Sequence, residues 1–218
     1  MANQNPAHAA RENMVDSQVM PNQVNDSRII AAMRSLPREA FAPAGSIPYG
    51  DADIGLGEGR FLLSPMVTAR LAQLVLSNNP KHVLVVGAGS GYLAAVLAEG
   101  GAQVVALEEE SRLNTGALAQ YAPNVEVVSG KLLAGWPAGG PYDVIVIEGA
   151  VSAIPDVFIA QLTPEGRVVT ILADGAEPAG LGRAVVAEPA GKGFAVAKIF
   201  DCTARILPTF RREPSFSF

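Results

Sequence analysis

One cysteine, two histidines and one tryptophan in 218 residues set the first limits. Cys202 alone cannot form an internal disulfide, so the chain is no disulfide-framed scaffold and suits a reducing cytoplasm. His8 and His82 stand far apart, with Cys202 farther still, which leaves no His/Cys cluster at metal-ligand spacing. No run reaches the roughly 18 apolar residues of a membrane span, and no early apolar segment has signal-peptide flanks. Positive charge is in deficit as well: 16 Lys and Arg against 21 Asp and Glu give a net charge of -5. Such a chain does not attract nucleic acid or an anionic membrane, so small molecules or protein segments are the expected partners.

What is present is apolar residue, 49% of the chain, in a length that suits one α/β domain over residues 1–218. Residues 1–13 read as a frayed end and residues 209–218 as a C-terminal tail. Asp26-Ser27 offers a helix cap, with Ile29, Ile30, Met33 and Leu36 at helical spacing and Pro37 as the stop. Pro43 to Gly59 carries two prolines and five glycines and reads as loop with short extended pieces. The stretch GEGRFLLSP, Gly57 to Pro65, then leads into a helix marked by Val67, Leu71, Leu74 and Val75.

Short apolar runs at Val83–Val86, Gln103–Leu107, Val125–Val128, Val144–Ile147 and Arg167–Leu172 predict buried strands separated by helices or loops. That alternation implies a doubly wound, mostly parallel sheet with helices on both faces. Phe194–Phe200 and Thr203–Leu207 read as two late strands forming an antiparallel hairpin at the sheet edge, while Pro178–Gly193 is left unassigned.

VLVVGAGSGY, Val83 to Tyr92, is a buried strand running into a Gly-x-Gly-x-Gly turn and then a helix through Glu99. Glycine lets the backbone turn tightly and lets a ligand approach the helix start. The third glycine comes one residue earlier than in the dinucleotide fingerprint, which favours S-adenosylmethionine over NAD. Glu108, at the end of the next strand and roughly 20 residues on, stands where an acid binds ribose hydroxyls. The alternative is that Glu108 to Glu110 is a solvated acidic helix start. The candidate cofactor residues are Gly87, Ala88, Gly89, Gly91, Tyr92, Glu108 and Glu109, joined by Gly130, Lys131 and Glu148 at later strand ends.

On these residues the chain resembles the protein-L-isoaspartate O-methyltransferase family. VNDSRIIAAMRSLPREAFAP (Val24 to Pro43), IPYGDADIGLGEG (Ile47 to Gly59), the glycine motif, GWP (Gly135 to Pro137), PYDVIVIEGA (Pro141 to Ala150), IPDVFIAQLTPEGRVV (Ile154 to Val169) and ARILP (Ala204 to Pro208) carry the resemblance. It implies a Rossmann-like methyltransferase fold, S-adenosylmethionine as cofactor, and methylation of the abnormal carboxylate of isoaspartyl residues in damaged proteins. The family's loop reads Gly-Gln-Thr-Ile-Ser-x-Pro. Here its Thr falls on Phe61 and its Ser on Leu63, so Ser64 lies one residue late, either as the N-cap of the next helix or as a shifted catalytic hydroxyl. An acid within the first strand is Val85, an Asp beside the adenine is Lys131, and a small polar residue is Glu148. Lys131 cannot accept the adenine amino hydrogen bond, which leaves that task to neighbouring backbone. Glu148 would suit an alcohol, amine or cationic group as base or anchor, or else serve the Gly149 turn.

Two functions follow. One is an isoaspartyl-type methyltransferase; the other is a retired methyltransferase fold acting as a ligand- or protein-binding module, with Arg60-Phe61-Leu62-Leu63 and the Phe210, Phe216 and Phe218 tail as contact surface and a homo-oligomer as one outcome.

Overall fold

The computed structural model describes residues 6–109, 115–175 and 179–211. Seven strands form one sheet in the order β5 (Glu126–Ser129), β4 (Gln103–Glu108), β3 (His82–Val86), β6 (Tyr142–Val151), β7 (Leu162–Ala173), β8 (Ala179–Ala190) and β9 (Gly193–Arg205). The first five are parallel and the last two antiparallel, the arrangement expected of a Rossmann-like methyltransferase sheet. The chain reverses its winding between β3 and β6, so the carboxyl ends of those two strands open the crevice in which such sheets bind ligands.

Local chemistry accounts for the helices beside that crevice. Asp26 caps α2 (Ser27–Ser35) by accepting the Arg28 N–H at 2.9 Å, and Ile29, Ala32 and Met33 form its buried stripe. Helix α3 (Pro65–Leu76) starts with Pro at its first position and buries Val67, Leu71 and Val75. Gly91, in the left-handed region, opens α4 (Tyr92–Glu99), which is buried almost throughout. A short hairpin, β1 (Ile54–Gly57) and β2 (Arg60–Leu62), turns through Glu58 and Gly59, both at positive φ, and leads into α3.

Three expectations are corrected. Pro6–Met14 is a helix, α1, continued by a wide turn over Val15–Val19, so residues 6–13 are not frayed; Met14, Val15 and Val19 are buried and Arg34 pairs with Glu12 and Asp16. The two late strands are one, β9, and its partner β8 is the segment left unassigned. Within the tail expected from residue 209, Thr209 and Phe210 belong to the helical turn Pro208–Phe210 with Phe210 buried, while Phe216 and Phe218 lie outside the described residues.

Candidate cofactor site

The turn after β3 has the expected conformation: Gly87, Gly89 and Gly91 take φ of 74°, 55° and 84°. Its amides are directed inward. Gly87 and Ala88 both donate to the Leu107 carbonyl at 2.9 and 3.2 Å, Gly91 donates to the Ala88 carbonyl at 2.7 Å, and Gly89 donates to Glu108 Oε2 at 2.9 Å. The pairing of β3 with β4 thereby brings Glu108 directly against the glycine turn.

Glu108 is 1% exposed, and its second oxygen is also engaged. Oε1 accepts from the Glu109 amide at 2.8 Å and from Arg60 Nη2 at 2.8 Å; the same nitrogen reaches Glu109 Oε2 at 3.3 Å. Arg60 is itself 3% exposed, carried in from β2 of the hairpin. A β-carbon built on Gly87 would stand 3.9 Å from Arg60 Nη1 and 3.3 Å from Leu207 Cδ1, and one on Gly89 would stand 3.1 Å from Leu56 Cδ1. The face of the turn that a ligand would approach is therefore covered by Arg60, Leu56 and Leu207 of the chain itself.

The cover is not fully satisfied. Arg60 Nε and Nη1 are buried without a hydrogen-bond partner among the described residues. Each buried donor left this way costs about 1–3 kcal/mol, which offsets part of what the two acids contribute.

At the next strand end, β6 and β7 lose register between Val146 and Ala150, and Glu148 and Gly149 sit in that irregularity. The buried Thr170 hydroxyl donates toward the Ile147 and Gly149 carbonyls at 3.4 and 3.2 Å, holding the bend. Glu148 is 4% exposed and its Oε2 lacks a partner among the described residues. Burial, then the neighbouring Glu108 charge, push its carboxyl well above the ordinary range, against the pull of Arg38. Glu148 is thus a buried acid in a strand bend, with its carboxyl biased toward the neutral form.

The other candidates divide. Gly130 and Lys131 follow β5, where the Gly130 amide donates to the Glu108 carbonyl at 3.1 Å and is already used; the Lys131 side chain is exposed. Tyr92 is buried, edge-on to Phe41 at 5.4 Å and 4.9 Å from the Arg38 guanidinium, and burial pushes its hydroxyl up to about 12. Ser64 occupies the N-cap position of α3 and its carbonyl accepts the Thr68 amide at 2.9 Å, but its hydroxyl makes no cap hydrogen bond; its own amide donates to Asp53 at 2.8 Å. Leu63 is buried and Phe61 lies under the Arg205 guanidinium at 4.6 Å, so the loop's former hydroxyl positions are packed. Arg60 and Leu207 were not among the cofactor candidates, Arg60 having entered only with the Arg60–Leu63 contact surface, although an arginine inside the apolar run Arg-Phe-Leu-Leu was the available signal.

Elsewhere, a cleft of about 550 Å³ lies between Asn78, Lys81, Asp143, Thr163 and Glu165, at the opposite end of the sheet from the glycine turn. Among the described residues, no group of three or more His, Cys, Asp or Glu is placed to hold a metal ion, and no helix is long and apolar enough to cross a membrane.

Comparison with known proteins agrees with this layout. Residues 9–178 match the family model described as protein-L-isoaspartate(D-aspartate) O-methyltransferase. A protein-L-isoaspartate O-methyltransferase of Methylorubrum extorquens (strain PA1) is 40% identical over 166 residues, 73% of this chain and 72% of that protein. One of Methanoculleus marisnigri is 36% identical over 170 residues, covering 75% and 77%. A Plasmodium falciparum structure, titled as a protein-L-isoaspartate O-methyltransferase in complex with S-adenosyl-L-homocysteine, superposes with a TM-score of 0.72 at 18% identity, over 94% of this chain and 100% of that one. With its glycine turn, its strand-end acid and its sheet in the family's register, the chain belongs to the protein-L-isoaspartate O-methyltransferase family of methyltransferases.

Proposed function

We propose that this chain is an S-adenosylmethionine-dependent methyltransferase whose acceptor is a carboxylate on a protein, the isoaspartyl carboxylate of the family reaction being the first candidate. The observation that carries the reading is Glu108, the strand-end acid, turned onto the amide of Gly89.

The residues present fit the cofactor in kind. Gly87 and Gly89 carry no side chain on the face now covered by Arg60, Leu56 and Leu207, Glu108 has the two oxygens a ribose diol needs, and two buried Arg60 donors have no partner among the described residues, so that cover is under-satisfied. When bound, S-adenosylmethionine supplies a methyl group on a sulfonium, electrophilic enough for attack by a carboxylate oxygen without a general base. Glu108 would hold the ribose, the glycine turn would face the adjoining chain of the cofactor, and Gly130-Lys131 would border the base. The upward shift of the Glu148 carboxyl, caused first by burial and then by Glu108, reduces the negative charge opposing an incoming carboxylate. Positioning of the acceptor by the packed loop Arg60–Ser64 then replaces the hydroxyl contacts that Phe61 and Leu63 do not provide.

The test is transfer of labelled methyl from S-adenosylmethionine to an isoaspartyl peptide, beside an active member of the family. Base-labile methyl ester above background supports the reading. No ester on isoaspartyl peptide or on aged protein, with the control active, rejects it and leaves the second reading, a binding module on a closed methyltransferase fold. That second reading is favoured by the side chains that already cover the glycine turn.

A further inference from the structure

We propose that Arg60 is the residue that sets cofactor affinity in this protein, because it competes with the cofactor for Glu108. This rests on the S-adenosylmethionine reading above and adds to it a residue that the family's glycine turn and strand-end acid do not include.

Four observations converge on Arg60. Its Nη2 lies 2.8 Å from Glu108 Oε1, on the acid whose oxygens a ribose would take, and 3.3 Å from Glu109 Oε2. Both Arg60 and Glu108 are buried, so the pair is shielded from solvent and is not a mobile surface contact. Arg60 Nη1 lies 3.9 Å from the place of a Gly87 β-carbon, so the guanidinium also occupies space in front of the glycine turn. Finally, Arg60 belongs to a short hairpin of four and three residues, β1 and β2, with Leu56 beside Gly89 and Pro208 beside Gly59. A carboxylate has about four acceptor sites, and those of Glu108 already take the Gly89 amide, the Glu109 amide and Arg60, so a ribose diol that needs two of them displaces the guanidinium. Binding therefore requires Arg60 to leave, and the apparent dissociation constant is raised by the fraction of molecules in which it has not left. Among the described residues this seat satisfies only one of the three Arg60 nitrogens, which lowers the cost of leaving it.

The experiment is titration of the full chain with S-adenosyl-L-homocysteine, followed by calorimetry and by the emission of Trp136, the only tryptophan, whose ring borders Gly130. Arg60→Gln is expected to bind at least about tenfold more tightly than the wild-type chain. Equal affinity in the two proteins overturns the competition and leaves the cofactor reading standing. Weaker binding in Arg60→Gln also overturns it, making Arg60 a cofactor contact. No binding to either protein at millimolar ligand overturns both the competition and the cofactor reading. Where Arg60→Gln does not fold, Arg60→Lys decides: it keeps the buried positive charge but cannot span both acids, so it is expected to bind several-fold more tightly than wild type, and unchanged or weaker binding rejects the proposal.

Discussion

Leu207 closes over Gly149. A β-carbon on Gly149 would stand 2.7 Å from Leu207 Cγ, and the Leu207 amide donates to the Ala150 carbonyl at 2.9 Å, so the C-terminal segment is pinned across the end of β6. Gly149 also has a φ of 154°, which an L side chain rarely takes.

Gly149→Ala is therefore expected to destabilise the protein by about 1–3 kcal/mol through overpacking against Leu207. The melting temperature should fall by roughly 2–4 °C for each kcal/mol. In the double variant Gly149→Ala/Leu207→Ala the two costs should be less than additive, because the second change removes the clash created by the first. Additive costs in thermal melts would show that the two residues do not meet.

Arg38 supplies the second prediction. It is completely buried; its Nε donates to the Pro48 carbonyl at 2.7 Å and its Nη2 to the Leu63 carbonyl at 2.5 Å, joining both ends of the loop that carries the hairpin. Arg38→Ala leaves two buried carbonyls without donors, at about 1–3 kcal/mol each. Arg38→Lys should recover little, since one ammonium cannot serve two carbonyls in the planar geometry of a guanidinium. Denaturant unfolding measures the loss, and protease cleavage within residues 43–63 should accelerate in both variants; stability within about 0.5 kcal/mol of wild type would rule out this role.

Much of this framework was legible because it depends on local pattern. Pro65–Leu76 is bounded by Pro and announced by its apolar spacing, Asp26 caps its helix as its residue type requires, and the buried parallel strands are short apolar runs. β9 was not legible as one strand because Asp201 interrupts its apolar pattern. Asp201 faces Arg183 in the register with β8 and pairs with it at 3.2 Å, so the acid is accommodated by a cross-strand partner far back in the chain. The same reason hid Arg60. Its partner Glu108 is 48 residues away, and only the approach of the hairpin to the end of β4 reveals that the strand-end acid is engaged within the chain. α1 was missed because its apolar contribution is confined to its end at Met14 and to the turn that follows.

Glu148 gives a prediction in pH. Its folded-state value is raised above the ordinary 4.5, first by burial and then by Glu108. Between the unfolded and folded values the native state holds a proton that the unfolded state has released. Stability from this group is therefore fully present below the unfolded value and is lost as pH rises through the folded one. Glu148→Gln, which is neutral at every pH, should remove that loss: its melting temperature relative to wild type should be higher at pH 8 than at pH 4. The same difference at both pH values would show that Glu148 is not held neutral.

Cys202 is the only thiol, 6% exposed on β9, and burial pushes it up to about 11. Reactivity follows the thiolate, whose population at pH 8 falls by roughly a hundredfold when the pKa rises from its free value to that level. Burial adds a steric barrier to the same reaction. Native protein should therefore react with an aromatic disulfide reagent at least about a hundredfold more slowly than protein unfolded in guanidinium. Because Cys202 pairs with Gly182 across β8 and β9, its rate also reports opening of the sheet edge. A native rate close to the unfolded one would mean that this edge opens readily, and Cys202→Ser would then be expected to leave the melting temperature nearly unchanged.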